Sequence, residues 1–191
     1  MTSTHHRCLL IRHGETEWSR SHRHTGRTDL PLLPGAEGQL EKVARLLQGR
    51  SLAAVFVSPL QRARQTSEHL GWTGRAEVDA DLAEWDYGDY EGRTTADIRR
   101  DRPGWDLFTD GAPGGEQLVD VARRVDRLIA RVRAVPGDVA CVAHAHLLRV
   151  LAARWVGLGP EGGRYLALAA ASVSELGWER EQPVIMTWNV R

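Results

Sequence analysis

The residues best suited to chemistry follow the first apolar run of the chain. Cys8-Leu9-Leu10-Ile11 leads directly into Arg12-His13-Gly14. A neutral imidazole is a nucleophile. A neighbouring guanidinium can bind two phosphate oxygens while it disfavours protonation of the ring. A polar strand end turning into a loop explains the same tripeptide equally well, so Arg12 and His13 are candidates that other residues must support.

A second histidine also follows an apolar run, in Val142-Ala143-His144-Ala145-His146. His144 could donate a hydrogen bond to a phosphoryl group, although taken alone a buried structural histidine is the commoner case. Parallel sheets bind ligands beyond the carboxyl ends of their strands. If the two strands are neighbours, His13 and His144 therefore lie at one edge of the sheet. Arg149, on the following helix, is expected to form a structural ion pair.

Arg62 and Glu84 are the other two candidates. Arg62 lies in the first turn of a predicted helix after Ser58-Pro59. Free N–H groups at such a turn bind anions, whereas a cation there opposes the helix dipole, so we expect Arg62 to point toward an anion. Glu84 follows an apolar segment beside Trp85, and partial burial would keep a proton on its carboxyl group for a leaving alkoxide. The alternatives are that Arg62 is a solvated arginine and that Glu84 is a surface carboxylate.

Alternating strands and helices must position these residues. Apolar runs predict strands at 8–11, 52–57, 138–143, 172–178 and 184–190, with a weaker one within 75–82. Helical periodicity predicts helices at 36–49, 59–70, 115–135 and 147–156, and a short one near 95–100. This order is typical of a three-layer α/β sandwich with a mostly parallel central sheet flanked by helices. We expect one domain over 1–191, with a small cap insertion at about 85–117.

Composition excludes several classes of protein. The 191 residues carry 25 basic and 25 acidic side chains, so the basic surplus of a nucleic-acid-binding protein is absent. Two cysteines, Cys8 and Cys141, rule out a disulfide framework and are expected to be buried thiols. No secretory signal or long apolar run is present, which predicts a cytoplasmic protein without membrane partners. The C-terminal strand with Trp188 could form an exposed edge, so a homodimer is possible.

Taken together, the segments around His13, Arg62, Glu84 and His144 resemble those of the histidine phosphatase superfamily, and the resemblance extends over residues 8 to about 156. The resemblance implies that His13 is phosphorylated during turnover and that Glu84 is the proton donor. It places Arg12, Arg62 and His144 in the phosphate pocket. No metal or other cofactor is implied.

The resemblance also suggests substrate-binding residues. Thr25-Gly26 matches a loop that touches the phosphate. Ser19 stands where mutases of the superfamily usually have asparagine. Ala145 replaces the usual glycine after the last histidine and still offers its backbone N–H. His24, which the resemblance does not assign, is a further substrate-binding candidate that could line the pocket mouth.

The stretch from Glu84 to Gly92 looks most like the acid phosphatases of mycobacterial type and the yeast sedoheptulose-bisphosphatase branch. We therefore predict a phosphomonoester hydrolase acting on a sugar phosphate or another small phosphorylated metabolite. A phosphoglycerate mutase is the alternative, since mutases carry an Arg-His-Tyr-Gly stretch and a longer insertion at this point. The substrate beyond the phosphate stays open, and His22, His24 and scattered arginines could receive a second phosphate or a carboxylate.

Two functions from other classes of protein are alternatives to a histidine phosphatase. The pairs His22-Arg23-His24 and His144-Ala145-His146 have His-x-His spacing, which suits a metallohydrolase, although no carboxylate ligand pattern lies nearby. A non-catalytic phosphate sensor would keep the arginines but lose His13 or Glu84. Because both residues are present, the enzyme is favoured.

Overall fold

Six strands form one sheet, described for residues 6–191 by a computed structural model. They are β1 (Cys8–Arg12), β2 (Ala54–Val57), β3 (Glu77–Val78), β4 (Val139–Ala143), β5 (Val173–Glu179) and β6 (Gln182–Val190). Their order is β3-β2-β4-β1-β5-β6. The first four in this order are mutually parallel, while β5 and β6 are antiparallel to their neighbours. The mostly parallel sheet is confirmed.

In the described part of the chain, seven α-helices connect and flank these strands. They are α1 (Glu17–Arg20), α2 (Glu37–Leu47), α3 (Gln61–His69), α4 (Thr95–Asp101), α5 (Leu107–Asp110), α6 (Leu118–Ala134) and α7 (Ala145–Trp155). Short 3₁₀ helices lie at Ala80–Leu82, Gly88–Tyr90 and Pro160–Tyr165. No helix within residues 6–191 combines the length and apolar character that crossing a bilayer requires.

The alternation of side chains along the strands divides the core into two layers. Leu9, Ile11 and Val142 point to one face, where they pack against the apolar stripe of α2. Leu10 and Cys141 point to the other face, where α6 and α7 cover them. Because residues along a strand alternate between faces, both sides of β1 and β4 are buried. The predicted three layers are confirmed.

The segment expected to be a cap is packed into the second of these layers. Its large apolar side chains, among them Trp85, Ile98 and Phe108, belong to the same buried cluster as α6 and α7. Helices α4 and α5 both lie in this segment, and each begins at a side-chain cap, Thr94 and Asp106 respectively. The cap is therefore held in place by the main core.

Several boundaries differ from the sequence prediction by a few residues. The third strand is only two residues long, because Asp79 caps the 3₁₀ helix that follows it. Helix α3 begins at Gln61 rather than Pro59, since Leu60 is still extended. Helix α7 begins two residues earlier than predicted, at Ala145, which brings its first N–H groups to the edge where β4 ends.

Candidate active site

The carboxyl ends of β1 and β4 bring two histidines together. The strands pair in parallel, with Arg12 opposite Ala143, and the His13 backbone N–H donates to the Ala143 carbonyl at 3.0 Å. The ring centroids of His13 and His144 lie 5.1 Å apart. The expected meeting of these residues at one sheet edge is confirmed.

The imidazole of His13 is held in one tautomer. Its Nδ1 lies 2.6 Å from the Gly14 carbonyl oxygen, and a carbonyl can only accept, so Nδ1 carries the proton and Nε2 a lone pair. Burial lowers the pKa of His13 well below its ordinary 6.5, and the positive charges of Arg62 and Arg12 lower it further. His13 is therefore neutral near pH 7 and has the form that a nucleophile needs.

Arg12 leaves part of its guanidinium unused. Nη1 donates to the Leu168 carbonyl at 2.5 Å, whereas the buried Nε has no hydrogen-bond partner among the described residues. A buried N–H without a partner costs about 1–3 kcal/mol. Arg12 also lines a cavity beside His13, so an oxyanion bound there could satisfy this donor.

Arg62 lies in the first turn of α3 as predicted, but it is fully buried and does not line the cavity. Its Nη atoms donate to the carbonyls of Thr25, Gly26 and Thr28, each at 3.0 Å. Its Nε donates to His144 Nδ1 at 3.1 Å. From the sequence we expected Arg62 to point toward an anion. Instead, most of its N–H groups donate to these backbone carbonyls.

His144 takes its orientation from Arg62. Because its Nδ1 accepts from a guanidinium, the proton lies on Nε2, which donates to Ser58 Oγ at 2.7 Å. His144 is fully buried, and burial together with the charge of Arg62 lowers its pKa well below 6.5. Ser58 thus belongs to the site although the sequence drew attention only to the helix after it.

Glu91 fixes the loop that binds Arg62. Its carboxylate accepts the Gly26 N–H at 2.8 and 3.0 Å and the Thr28 N–H at 3.1 Å. Glu91 lies in the cap, 65 residues from Gly26. The sequence analysis did not assign Glu91 to the site.

Glu84 is buried, as expected, with 7% of its surface exposed. Its Oε1 accepts the N–H groups of Trp85 and Leu147, each at 2.9 Å, and its Oε2 accepts that of His146 at 3.1 Å. The first turn of α7 therefore holds the carboxyl group in place. Oε2 has the fewer partners and keeps lone-pair capacity for a proton.

Arg12, His13 and Glu84 line a cavity of about 240 Å³. Predicted site residues that line it are Arg12, His13, Ser19, His24, Thr25, Glu84 and Ala145. Residues of its wall that the sequence analysis did not assign to the site are Arg23, Tyr87, Thr95, His146, Arg149 and Leu168. His22, which the sequence left open, also lines it. Among the wall residues that the sequence analysis did not assign to the site, only His146 was indicated by the sequence, through its position two residues after His144.

The predicted substrate-binding residues fare differently from one another. Ala145 begins α7 at the cavity, where the positive end of the helix dipole favours an anion. The Ser19 hydroxyl is engaged with the backbone of Thr16 in a capping box. The Gly26 N–H is bound by Glu91, and a Cβ there would lie 2.5 Å from the Trp85 carbonyl. Gly26 therefore supports the loop rather than the cavity wall.

His24 and His146 lie in an aromatic cluster at the cavity. His146 Nδ1 and the Tyr87 hydroxyl are 2.6 Å apart, and the His24 ring lies 4.8 Å from that of Tyr87. Burial lowers the pKa of His24 to about 4 and that of His146 well below 6.5. Both rings are therefore neutral near pH 7. They can contact uncharged parts of a ligand as well as an anion.

The paired histidines were also considered as metal ligands. The rings of His24 and His146 lie 5.9 Å apart. Within residues 6–191, however, no group of three or more His, Cys, Asp or Glu side chains is arranged to hold a metal ion. The residues present do not fit the metallohydrolase alternative.

Comparison with known proteins agrees with this geometry. Residues 8–191 match the family model of the histidine phosphatase superfamily (branch 1). A sedoheptulose 1,7-bisphosphatase of Saccharomyces cerevisiae is 39% identical over 83% of this chain and 70% of its own. An acid phosphatase of Mycobacterium tuberculosis is 40% identical over 91% of this chain and 87% of its own.

A solved structure extends the likeness to three dimensions. A mycobacterial glucosyl-3-phosphoglycerate phosphatase superposes with a TM-score of 0.83 at 30% identity, and the match covers 98% of this chain and all of the other. The family match over nearly the whole chain, together with phosphatase relatives of this similarity, shows that the chain belongs to the histidine phosphatase superfamily, branch 1, and is a phosphatase.

Proposed function

We propose that this phosphatase hydrolyses the phosphomonoester of a sugar phosphate or a similar small metabolite through a phosphohistidine at His13. The observation that carries the proposal is the neutral His13, with its Nε2 lone pair free, beside the unpartnered Nε–H of Arg12. A nucleophile and an unsatisfied cationic donor at one cavity suit a phosphate ester. The names of the relatives support the substrate class.

The first step transfers the phosphoryl group to the protein. A bond forms between His13 Nε2 and phosphorus while the bond from phosphorus to the ester oxygen breaks. Glu84 gives a proton to the departing oxygen, so that an alcohol leaves rather than an alkoxide. Arg12 and the N-terminal end of α7 stabilise the charge on the non-bridging oxygens.

Water completes the cycle. Glu84, now a carboxylate, takes a proton from the water as its oxygen bonds to phosphorus, and the bond to Nε2 breaks. Inorganic phosphate leaves, and His13 recovers its lone pair. The Gly14 carbonyl keeps the proton on Nδ1 throughout, so the ring returns to the same tautomer.

Arg62 and His144 are the other two residues of the proposed phosphate pocket. One N–H of Arg62 Nη1 is not used in its carbonyl bonds, and the His144 Nε2–H now reaches Ser58. The charge of Arg62 helps to keep His13 neutral in either case. The direct contact of these two residues with phosphate, the cytoplasmic location and the homodimer stay predictions.

Release of inorganic phosphate from p-nitrophenyl phosphate and a panel of sugar phosphates tests the proposal. We expect His13→Ala to abolish turnover and His69→Ala, an exposed histidine on α3, to keep it. Parent-like activity in His13→Ala would overturn the assignment of the nucleophile. With 3-phosphoglycerate we expect free phosphate and no 2-phosphoglycerate, whereas the reverse would indicate a mutase.

A further inference from the structure

A second cavity opens beside the first. It has a volume of about 180 Å³ and shares with the first cavity the residues His24, Thr95, His146 and Arg149. These residues stand between the two spaces, so a ligand held at His13 could extend past them. The second cavity is therefore placed to receive the part of the substrate farthest from the reacting phosphate.

Arg149 is a cation without a carboxylate partner at this junction. Its Nε and Nη2 donate to the carbonyls of Gly163 and Arg164, each at 3.0 Å, and its guanidinium carbon lies 4.8 Å from the centre of the Phe108 ring. The two hydrogens of Nη1 take no part in these bonds. No ion pair found within residues 6–191 includes Arg149, so the structural ion pair expected from the sequence was wrong.

The other charges of the second cavity leave it positive. Arg164 is paired with Asp106 at 3.1 Å, and these two charges cancel. Arg99 donates its Nε to the Trp105 carbonyl, and its outer nitrogens take no part in that bond. Buried or partly buried charges in proteins normally have a counter-charge. Arg149 is partly buried and contacts no carboxylate directly among the described residues, so a bound anion would supply its counter-charge, while the exposed Arg99 adds to the positive charge of the cavity.

We propose that Arg149, with Arg99 beside it, binds a second anionic group of the substrate, a phosphate or a carboxylate, and so determines specificity for doubly anionic phosphoesters. The planar guanidinium fork matches the oxygens of either group. This inference rests on the proposed phosphatase activity and names the substrate class for the same site.

Two matched pairs of substrates test it. Fructose 1,6-bisphosphate is compared with fructose 6-phosphate for a second phosphate, and 3-phosphoglycerate with glycerol 3-phosphate for a carboxylate. The readout is the ratio of kcat/KM within each pair. The variants are Arg149→Met, Arg149→Lys and, as a control on the same helix, Arg154→Met, which removes a partly exposed cation paired with Asp126.

We expect at least one doubly anionic substrate to be preferred, and Arg149→Met to lower that ratio by about tenfold to a hundredfold. Arg149→Lys should restore part of the ratio, because it keeps the charge without the fork, and Arg154→Met should leave it unaltered. The pair whose ratio responds identifies the second group as phosphate or carboxylate.

Two results would overturn the inference. One is the absence of any preference for a doubly anionic substrate. The other is an Arg149→Met variant that leaves the ratio unchanged in both pairs, because loss of the contacts to Gly163 and Arg164 alone would slow both members of each pair equally. Failure of the parent protein to release phosphate from p-nitrophenyl phosphate and from the whole panel, these four compounds included, would overturn the proposed function itself, and the inference with it.

Discussion

Removal of the Glu91 carboxylate should weaken the site from a distance. Glu91 binds the N–H groups of Gly26 and Thr28, whose carbonyls in turn accept from Arg62. Hydrogen bonds to charged groups contribute about 1.5–3 kcal/mol each. Since Glu91 is only half-buried, water replaces part of this. We expect Glu91→Ala to lower the free energy of unfolding by about 2–4 kcal/mol, and Glu91→Gln, which keeps one acceptor oxygen, by about half as much.

Loss of the Glu91 carboxylate should also lower the catalytic efficiency. Loss of the carboxylate frees the loop that bears Thr25 and supports Arg62, and small displacements of positioning groups cost up to about a hundredfold in rate. We therefore expect kcat/KM for p-nitrophenyl phosphate to fall about tenfold or more in Glu91→Ala, and less in Glu91→Gln. Urea unfolding and steady-state kinetics measure the two effects, with Glu41→Ala, an exposed carboxylate of α2, as control. Parent-like stability and kinetics in Glu91→Ala would refute the reasoning.

Three further predictions concern ionisation and packing. Because the pKa of His13 lies well below 6.5, a profile of kcat/KM against pH should show no loss of activity through an ionisation near 6.5, and an inflection there would contradict a neutral, buried nucleophile. The pKa of His24 is about 4 in the folded state against 6.5 when unperturbed. Between these values the unfolded chain binds more protons, so this histidine should make stability rise with pH over that window, by about 3 kcal/mol in all. His24→Gln should reduce the slope, and an unchanged slope in urea titrations at pH 4.5 and 7 would count against it. In Gly88→Ala the new Cβ would lie 2.2 Å from the Pro113 carbonyl at a φ of +47°, so thermal unfolding should reveal a loss of more than about 2 kcal/mol, whereas Gly38→Ala, with open space around it, should cost nothing.

The strands and the sheet edge were readable from the sequence for a simple reason. Each central strand is a short, continuous apolar run, and such runs are typical of strands buried on both faces. The polar residues that end β1 and β4, His13 and His144, consequently fall at the same edge once the strands are parallel. The long helix α6 was equally clear, because its apolar stripe repeats over 17 residues.

The partners of the site residues were not readable, because they come from distant parts of the chain. Arg62 binds carbonyls that lie 34–37 residues away, and Glu91 binds a loop 63–65 residues away. Backbone carbonyls carry no sequence signal, so the first-turn position of Arg62 suggested an anion instead. Helix α1 was missed for a local reason: its four residues are too few for periodicity, and only the capping box of Thr16 and Ser19 marks it.

Trapping the covalent intermediate tests the account most directly. The protein is mixed with p-nitrophenyl phosphate, quenched within the first turnover into alkaline denaturant, where phosphohistidine survives, and digested for mass spectrometry. We predict one added phosphoryl group on the peptide that contains His13, and its absence in His13→Ala. A phosphoryl group on His144 or on another residue, or an unmodified His13 while phosphate is being released, would contradict the proposed mechanism.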